Sequence, residues 1–261
     1  MFKNKRYYYL IQLQYLGYRY HGWQKQPNVK TVQLMVERTI RYVLGHDEFK
    51  ILASGRTDAM VSANEAAIEL FVWEPLEEDF LSTLNTNLPS DIRATKVQQV
   101  DEKFNVIQGS KLKEYIYLFS SGEKNHPFAA PFMVYVEQEL NVEKMMEAAK
   151  CFQGVHNFQR FCYKPSPETI FERTIDLCEI VKNDLYTANF FPENSYLLRV
   201  QGKGFMRHQV RLMMGAIFAV GKEKLTIEQL KEALKGGDNQ PVSYIAPASG
   251  LMLNKLSFDE V

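Results

Sequence analysis

The feature that most constrains the fold is the order in which two hydrophobic periods alternate along the first hundred residues. Residues 6–15 (RYYYLIQLQY) are aromatic and β-branched enough for a strand, and a turn-like GYRYHGW segment follows. Val32, Met35, Val36, Ile40, Val43 and Leu44 then recur at helical spacing behind Thr31, a residue suited to cap a helix. Residues 49–54 and 67–73 read as strands, with SGRTDAMVSANE as the loop between them. A short helix near 78–86 and a strand near 92–99 complete a strand-helix-strand-strand-helix-strand order. That order suits a ferredoxin-like unit, an antiparallel sheet with helices on one face.

The second half repeats this grammar without repeating the sequence. LKEYIYLF (112–119) is a strand, and residues 120–133, with Pro127 and Pro131, form a long loop. VEKMMEAAKCF (142–152) is an amphipathic helix closed by Gly154, and residues 172–182 and 195–201 form a hairpin pair. A helix over 205–220 buries Val210, Met213, Met214 and Ile217. Thr226 with Gln229 makes a capping box for a helix to about 236, and GLMLNKLSF (250–258) closes the chain as a strand. The expectation is an α+β chain of two similar lobes, 1–103 and 104–261, with a cleft between them as the natural place for a ligand.

Composition narrows the function classes. Hydrophobic residues are 46% and charged residues 24%, ordinary for a globular protein. No segment approaches roughly 18 apolar residues and the start has no apolar signal region, so the expected location is the cytoplasm. Cys151, Cys162 and Cys178 form no CxxC pair and read as buried thiols; the five histidines have no metal-ligand spacing. Lys and Arg total 31, as do Asp and Glu, which argues against a purely electrostatic nucleic-acid binder. Residues 1–41 nevertheless hold eight basic residues and one acid, Glu37, a cluster able to face phosphates. A solvated face balanced by acids elsewhere accounts for the same charges.

The loop Ser54-Gly55-Arg56-Thr57-Asp58-Ala59 joins two strands, and an Asp in such a loop is most often a turn former. Here a guanidinium stands two residues before the carboxylate, and a nearby cation keeps a carboxylate ionised at neutral pH. A carboxylate held that way can attack a sugar carbon or take a proton from one.

With these residues in view, the chain resembles the tRNA pseudouridine synthase A (TruA) family over nearly its whole length. Gly55-Arg56-Thr57-Asp58-Ala59 matches the family's GRTDA core, and Gly22-Trp23-Gln24-Lys25-Gln26 its G-W-Q-x-Q. Asn85-Thr86-Asn87-Leu88-Pro89-Ser90-Asp91-Ile92 fits N-x-N-L-P-x-D-I. Lys113-Glu114-Tyr115-Ile116-Tyr117 matches the basic strand ending in Y-x-Y. Gly154, His156, Asn157, Phe158 and Phe161 match G-x-H-D/N-F-x-x-F, and Arg173-Thr174-Ile175 matches R-T-I. Phe205 through Arg211 match the F-x-x-x-M/Q-V-R helix.

The resemblance implies the pseudouridine synthase fold: two ferredoxin-like, RRM-like lobes whose antiparallel sheets form one extended sheet with a central RNA-binding cleft. It implies an enzyme that isomerises uridine to pseudouridine in structured RNA, the anticodon stem-loop of tRNA above all, acting as a homodimer and without a cofactor. Asp58 is then the catalytic carboxylate, Tyr115 packs against the uracil, and Arg211 pairs with Asp58. Arg56 enters the RNA stack where the target leaves it, and Lys25, Lys113, Arg207 and His208 are further candidate RNA contacts. Periodicity alone makes Tyr115 a core residue. Trp23 and the Tyr18-Arg19-Tyr20 run either stack on bases or staple the first strand to its helix, and the staple is the stronger reading.

The chain departs from the family pattern where Gly-Val-His usually follows GRTDA: here stand Met60, Val61 and Ser62. Tyr15-Leu16-Gly17 replaces Tyr-Asp-Gly, and the arginine expected after Phe104 gives way near Ile107 and Gln108. A ribosomal-RNA-directed synthase and a catalytically silent RNA-binding protein on the same fold are the alternatives. A glycoside hydrolase would need two paired carboxylates, and only Glu65 lies near Asp58 in sequence. Gly202-Lys203-Gly204 follows a strand, but Arg207 stands where a dinucleotide-binding loop needs its third glycine.

Overall fold

The computed structural model describes residues 5–237 and 240–258; Lys3, counted in the basic cluster, lies outside them. The chain divides into two compact units, Met1–Lys111 with Leu253–Val261, and Leu112–Met252. Both mix helices and strands.

The first unit runs β1 (Tyr7–Tyr15), α1 (Val32–Leu44), β2 (Lys50–Ala53), β3 (Ser62–Val72), α2 (Phe80–Asn87) and β4 (Ile92–Val100). β1 lies antiparallel between β3 and β4, so that Ile11 faces Ile68 on one side and Val97 on the other. Both faces of β1 are covered. Leu10 packs with Ala67, Val100, Val106 and Leu256, while its neighbours Tyr9 and Ile11 are also buried. In α1, Val32, Val36 and Ile40 recur every four residues and are fully buried. The Thr31 hydroxyl accepts the Leu34 N–H at 3.3 Å, the expected cap, and Gly45 at φ 75° ends the helix.

β3 starts earlier than its sequence suggests. Ser62, Ala63, Asn64 and Glu65 have weak strand propensity and read as loop, yet Ala63 pairs with Tyr15. The Ser62 hydroxyl accepts the Gly17 N–H at 2.9 Å, and the Gln14 side chain donates to Asn64 at 2.9 Å. Tertiary pairing overrides propensity here and shortens the loop to residues 54–61.

The second unit runs β5 (Ser110–Ser121), β6 (Val134–Val136), α3 (Val142–Lys150), β7 (Gly154–Asn157), β8 (Glu172–Ile175), β9 (Leu177–Lys182), β10 (Ser195–Gly202), α4 (Gln209–Gly221) and α5 (Ile227–Ala233). The last strand, β11 (Leu251–Phe258), counts mostly with the first unit, a chain return that no local pattern announces. β10 is antiparallel to both β5 and β9, as the hairpin reading expects. Residues 172–175 instead join β7 in a separate two-stranded ribbon. β6 lies parallel to β5, so the sheet is mixed rather than purely antiparallel. Ile116, Leu118, Met133 and Leu197 form one buried cluster on it.

α4 is apolar nearly all round and correspondingly buried, from Leu212 through Phe218 without a break. Its first turn begins at Gln209 rather than 205, because His208 at φ 58° lies outside helical backbone. α3 ends at Lys150, with Cys151 as its cap, well before Gly154, whose φ of 100° opens β7 instead. The Thr226–Gln229 capping box forms as expected. Among the described residues no helix is long and apolar enough to cross a membrane.

Candidate active site

In the first unit, the loop carrying Asp58 is held by backbone bonds from both sides. Ser54 N–H donates to Ala67 C=O at 3.0 Å, anchoring the exit from β2. Trp23 N–H donates to Thr57 C=O at 3.1 Å, and Met60 N–H to Tyr20 C=O at 3.0 Å, bracketing Asp58. The Tyr15 hydroxyl meets the Thr57 hydroxyl at 2.9 Å, and Val61 N–H closes a turn on Asp58 C=O at 3.2 Å. The GWQ and GRTDA segments therefore interlock. Gly22 explains why a glycine stands there: its φ is 83°, and a Cβ would lie 2.7 Å from Thr57 O.

Tyr20 and Trp23 are buried, so they staple the end of β1 and its loop rather than offer faces to bases. Asp91 braces the same corner. It accepts the Tyr20 hydroxyl at 2.6 Å and Arg19 at 2.6 and 2.9 Å, while its carbonyl accepts Leu16 N–H at 3.0 Å. Burial by itself raises the Asp91 carboxyl, but the Tyr20 and Arg19 hydrogen bonds outweigh it and hold the group below its ordinary value. Burial and then the bond to Asp91 push the Tyr20 phenol up. In the sequence Asp91 stands out only as part of a motif. Its spacing from Tyr20 gave no sign that the two would meet.

Asp58 itself is half-buried and Arg56 is exposed. Lys25 is engaged elsewhere: its ammonium pairs with Glu37 at 2.6 Å. Met60 adopts φ 67°, so the loop takes the backbone turn that a glycine would take there, with a side chain in place.

The second unit holds the other expected residues. Tyr115 is half-buried on β5, opposite Val200 of β10, and its ring meets Phe205 edge-on with centroids 5.2 Å apart. Lys113 is half-buried two residues before it, and burial lowers its pKa. Arg211 sits in the first turn of α4, where its Nε donates to Ala246 C=O at 2.7 Å. Ala246 N–H returns a bond to Arg211 C=O at 3.1 Å.

One turn further, Gly215 lets this segment approach: a Cβ there would lie 1.9 Å from Tyr244 O. The Ser243 hydroxyl donates to Gly215 C=O at 3.0 Å, and the buried Tyr117 hydroxyl to Pro247 C=O at 2.8 Å. Residues 243–247 thus set the direction of Arg211. No periodicity marks that stretch, so sequence reasoning missed it. Arg207 and His208, just before α4, gather about Tyr163, another residue not foreseen.

Chemically, the first unit presents a carboxylate on a braced loop. The second presents a ring over a strand and a guanidinium fixed by a backbone carbonyl. Among the described residues no cluster of His, Cys, Asp and Glu could hold a metal.

A family model described as tRNA pseudouridine synthase matches residues 11–107 and 148–259. Asp58 lies in the first stretch and Arg211 in the second; Tyr115 falls between them. The chain is 32% identical over 252 residues to tRNA pseudouridine synthase A 2 of Bacillus anthracis, covering 96% of this chain and 99% of that one. It is 31% identical to tRNA pseudouridine synthase A of Shouchella clausii, with 95% and 92% covered. The Aquifex aeolicus protein of the same name is 32% identical, with 95% and 98% covered.

Proposed function

The chain belongs to the tRNA pseudouridine synthase family, and from that membership we propose how its residues divide the work of turning uridine into pseudouridine in tRNA. The reaction is an isomerisation, and the protein is an isomerase acting on tRNA. The observation that carries this is the match to full-length synthases along nearly the whole chain, 96% of it against 99% of the relative.

Uridine and pseudouridine have the same atoms. The N1–C1′ bond breaks, the base turns, a C5–C1′ bond forms, the C5 proton leaves and N1 gains one. Asp58 is the carboxylate that forms or assists the break at C1′. Tyr115 packs against the detached uracil and helps remove the C5 proton. Arg211 is the third catalytic residue. A uridine inside a stem must be flipped out, at a cost of a few kcal/mol in unstacking, which Arg56 inserted into the stack and Tyr115 under the base offset. The loop bracketed by Trp23 and Tyr20 supports this reading, because a nucleophile needs a fixed approach.

The finer parts of the proposal come from the same family resemblance. Each lobe is ferredoxin-like. The target lies in the anticodon stem-loop, the enzyme is a cytoplasmic homodimer, and Lys25, Lys113, Arg207 and His208 meet the RNA. Light scattering that returns a monomer at working concentration removes the homodimer from this picture.

Replacing Asp58→Asn keeps the size of the side chain and removes its charge. The expected result is pseudouridine formation at background with tRNA binding retained, read by mapping of the modified base and by a binding titration. An active Asp58→Asn enzyme would overturn the assignment.

A further inference from the structure

Arg207 and His208 share a ring that the mechanism leaves without a role. Tyr163 stacks on the His208 imidazole with centroids 4.7 Å apart and planes 12° from parallel. The Arg207 guanidinium lies 5.3 Å from the centre of the Tyr163 ring, and so does the Lys164 ammonium. Tyr163 N–H donates to Arg207 C=O at 3.1 Å, tying the two chain segments together. Both segments contain a non-glycine residue in left-handed backbone, Lys164 at φ 46° and His208 at φ 58°. That conformation is unfavourable for residues with side chains and persists only where the surroundings enforce it.

The charge is as unusual as the geometry. Two cations approach one ring, and among the described residues neither Arg207 nor Lys164 forms an ion pair with a carboxylate. A ring face compensates a cation only in part and leaves its outward N–H donors to water. Arg173 belongs to the same neighbourhood: burial pushes the Cys162 thiol up, while Arg173 and Arg207 both act against that rise. An arrangement of unneutralised donors on a stacked aromatic base fits a phosphodiester, which guanidinium and ammonium groups both bind by charge-assisted hydrogen bonds.

We propose that Tyr163 is the positioning residue of a phosphate-binding site for the substrate tRNA, in which the ring aligns Arg207, His208 and Lys164 on the RNA backbone. The site rests on the reading of Arg207 and His208 as RNA contacts and adds Tyr163 and Lys164 to it. A stack that served only to stabilise the unit would change melting and leave affinity and its salt dependence alone.

The test uses the full chain, an unmodified tRNA transcript, and binding and steady-state isomerisation measured across a salt series. Tyr163→Ala is expected to raise Kd and KM about five- to tenfold with kcat within about twofold, the loss of aligned phosphate contacts. Tyr163→Phe, which keeps the ring, restores affinity. Lys164→Gln, at an exposed position that folding tolerates, lowers the slope of log K against log salt by about one contact.

Wild-type affinity and slope in both Tyr163→Ala and Lys164→Gln would overturn the site, as would equal losses in Tyr163→Ala and Tyr163→Phe. The two readings fail separately. Normal isomerisation with silent variants removes the phosphate site alone, whereas a wild-type protein that binds the transcript and forms no pseudouridine removes the catalytic reading alone.

Discussion

Met60 carries a side chain through a backbone turn suited to glycine, at φ 67°, two residues after Asp58. Left-handed backbone costs a residue with a Cβ roughly 1–2 kcal/mol. Met60→Gly relieves that strain but adds about 0.5–1 kcal/mol of unfolded-state entropy, so Tm is expected to stay within about 3 °C of wild type. Met60→Val adds β-branching where it fits worst and is expected to lower Tm by roughly 2–6 °C in a thermal melt. Asp91 gives a pH-dependent counterpart. Its folded pKa lies below the ordinary 3.8, so its stabilisation is complete above that pH and is lost as pH falls through the folded value. Asp91→Asn should therefore melt several degrees lower at neutral pH, and the gap from wild type should close as the medium is acidified below 3.8. An unchanged gap would mean that the carboxylate's charge is not what braces Tyr20.

At the scale of elements, α4 shows how two opposed effects can be ranked. Gly215→Ala would gain about 1 kcal/mol of helix propensity, yet the new Cβ would stand 1.9 Å from Tyr244 O, which is backbone and cannot swing aside. Overpacking of that kind costs about 1–3 kcal/mol and moves the segment that accepts the Arg211 bond. Helix content by circular dichroism should hold while kcat falls at least about tenfold, the effect of a misdirected guanidinium. The elements themselves were largely legible: the apolar spacing of α1, the Thr226–Gln229 box and the alternation of β10 all reflect local rules. What sequence could not supply came from distant partners. Ser62–Glu65 became strand because Tyr15 and Gly17 pair with them, and residues 172–175 left the expected hairpin because β7 offered an edge. The contacts of Asp91 and Tyr163 were not legible, since their partners lie 71 and 45 residues away along the chain.

Across the whole molecule, a formal net charge of zero means that net charge by itself does not draw this protein to a polyanion. Affinity for tRNA then depends on where individual cations lack a carboxylate partner, a distinction that residue counts hide. Lys25 illustrates it: sequence placed it among the RNA contacts, but the Lys25 ammonium sits 2.6 Å from Glu37, so the pair brings an anion wherever it brings a cation. Lys144 is likewise paired, with Glu223 at 2.7 Å. Arg207 has a tyrosine ring instead. Counterion release scales with phosphates neutralised, so a cation already neutralised within the protein contributes little to the salt slope. Arg207→Gln is expected to lower that slope by about one and weaken tRNA binding several-fold, whereas Lys144→Gln leaves both at wild type. Lys25→Gln should fall between them, because its ion pair must open before the ammonium can meet a phosphate. Titrations of the three variants over one salt series decide the order, and a Lys25→Gln slope change equal to that of Arg207→Gln would show that Glu37 releases its lysine to the RNA at no measurable cost.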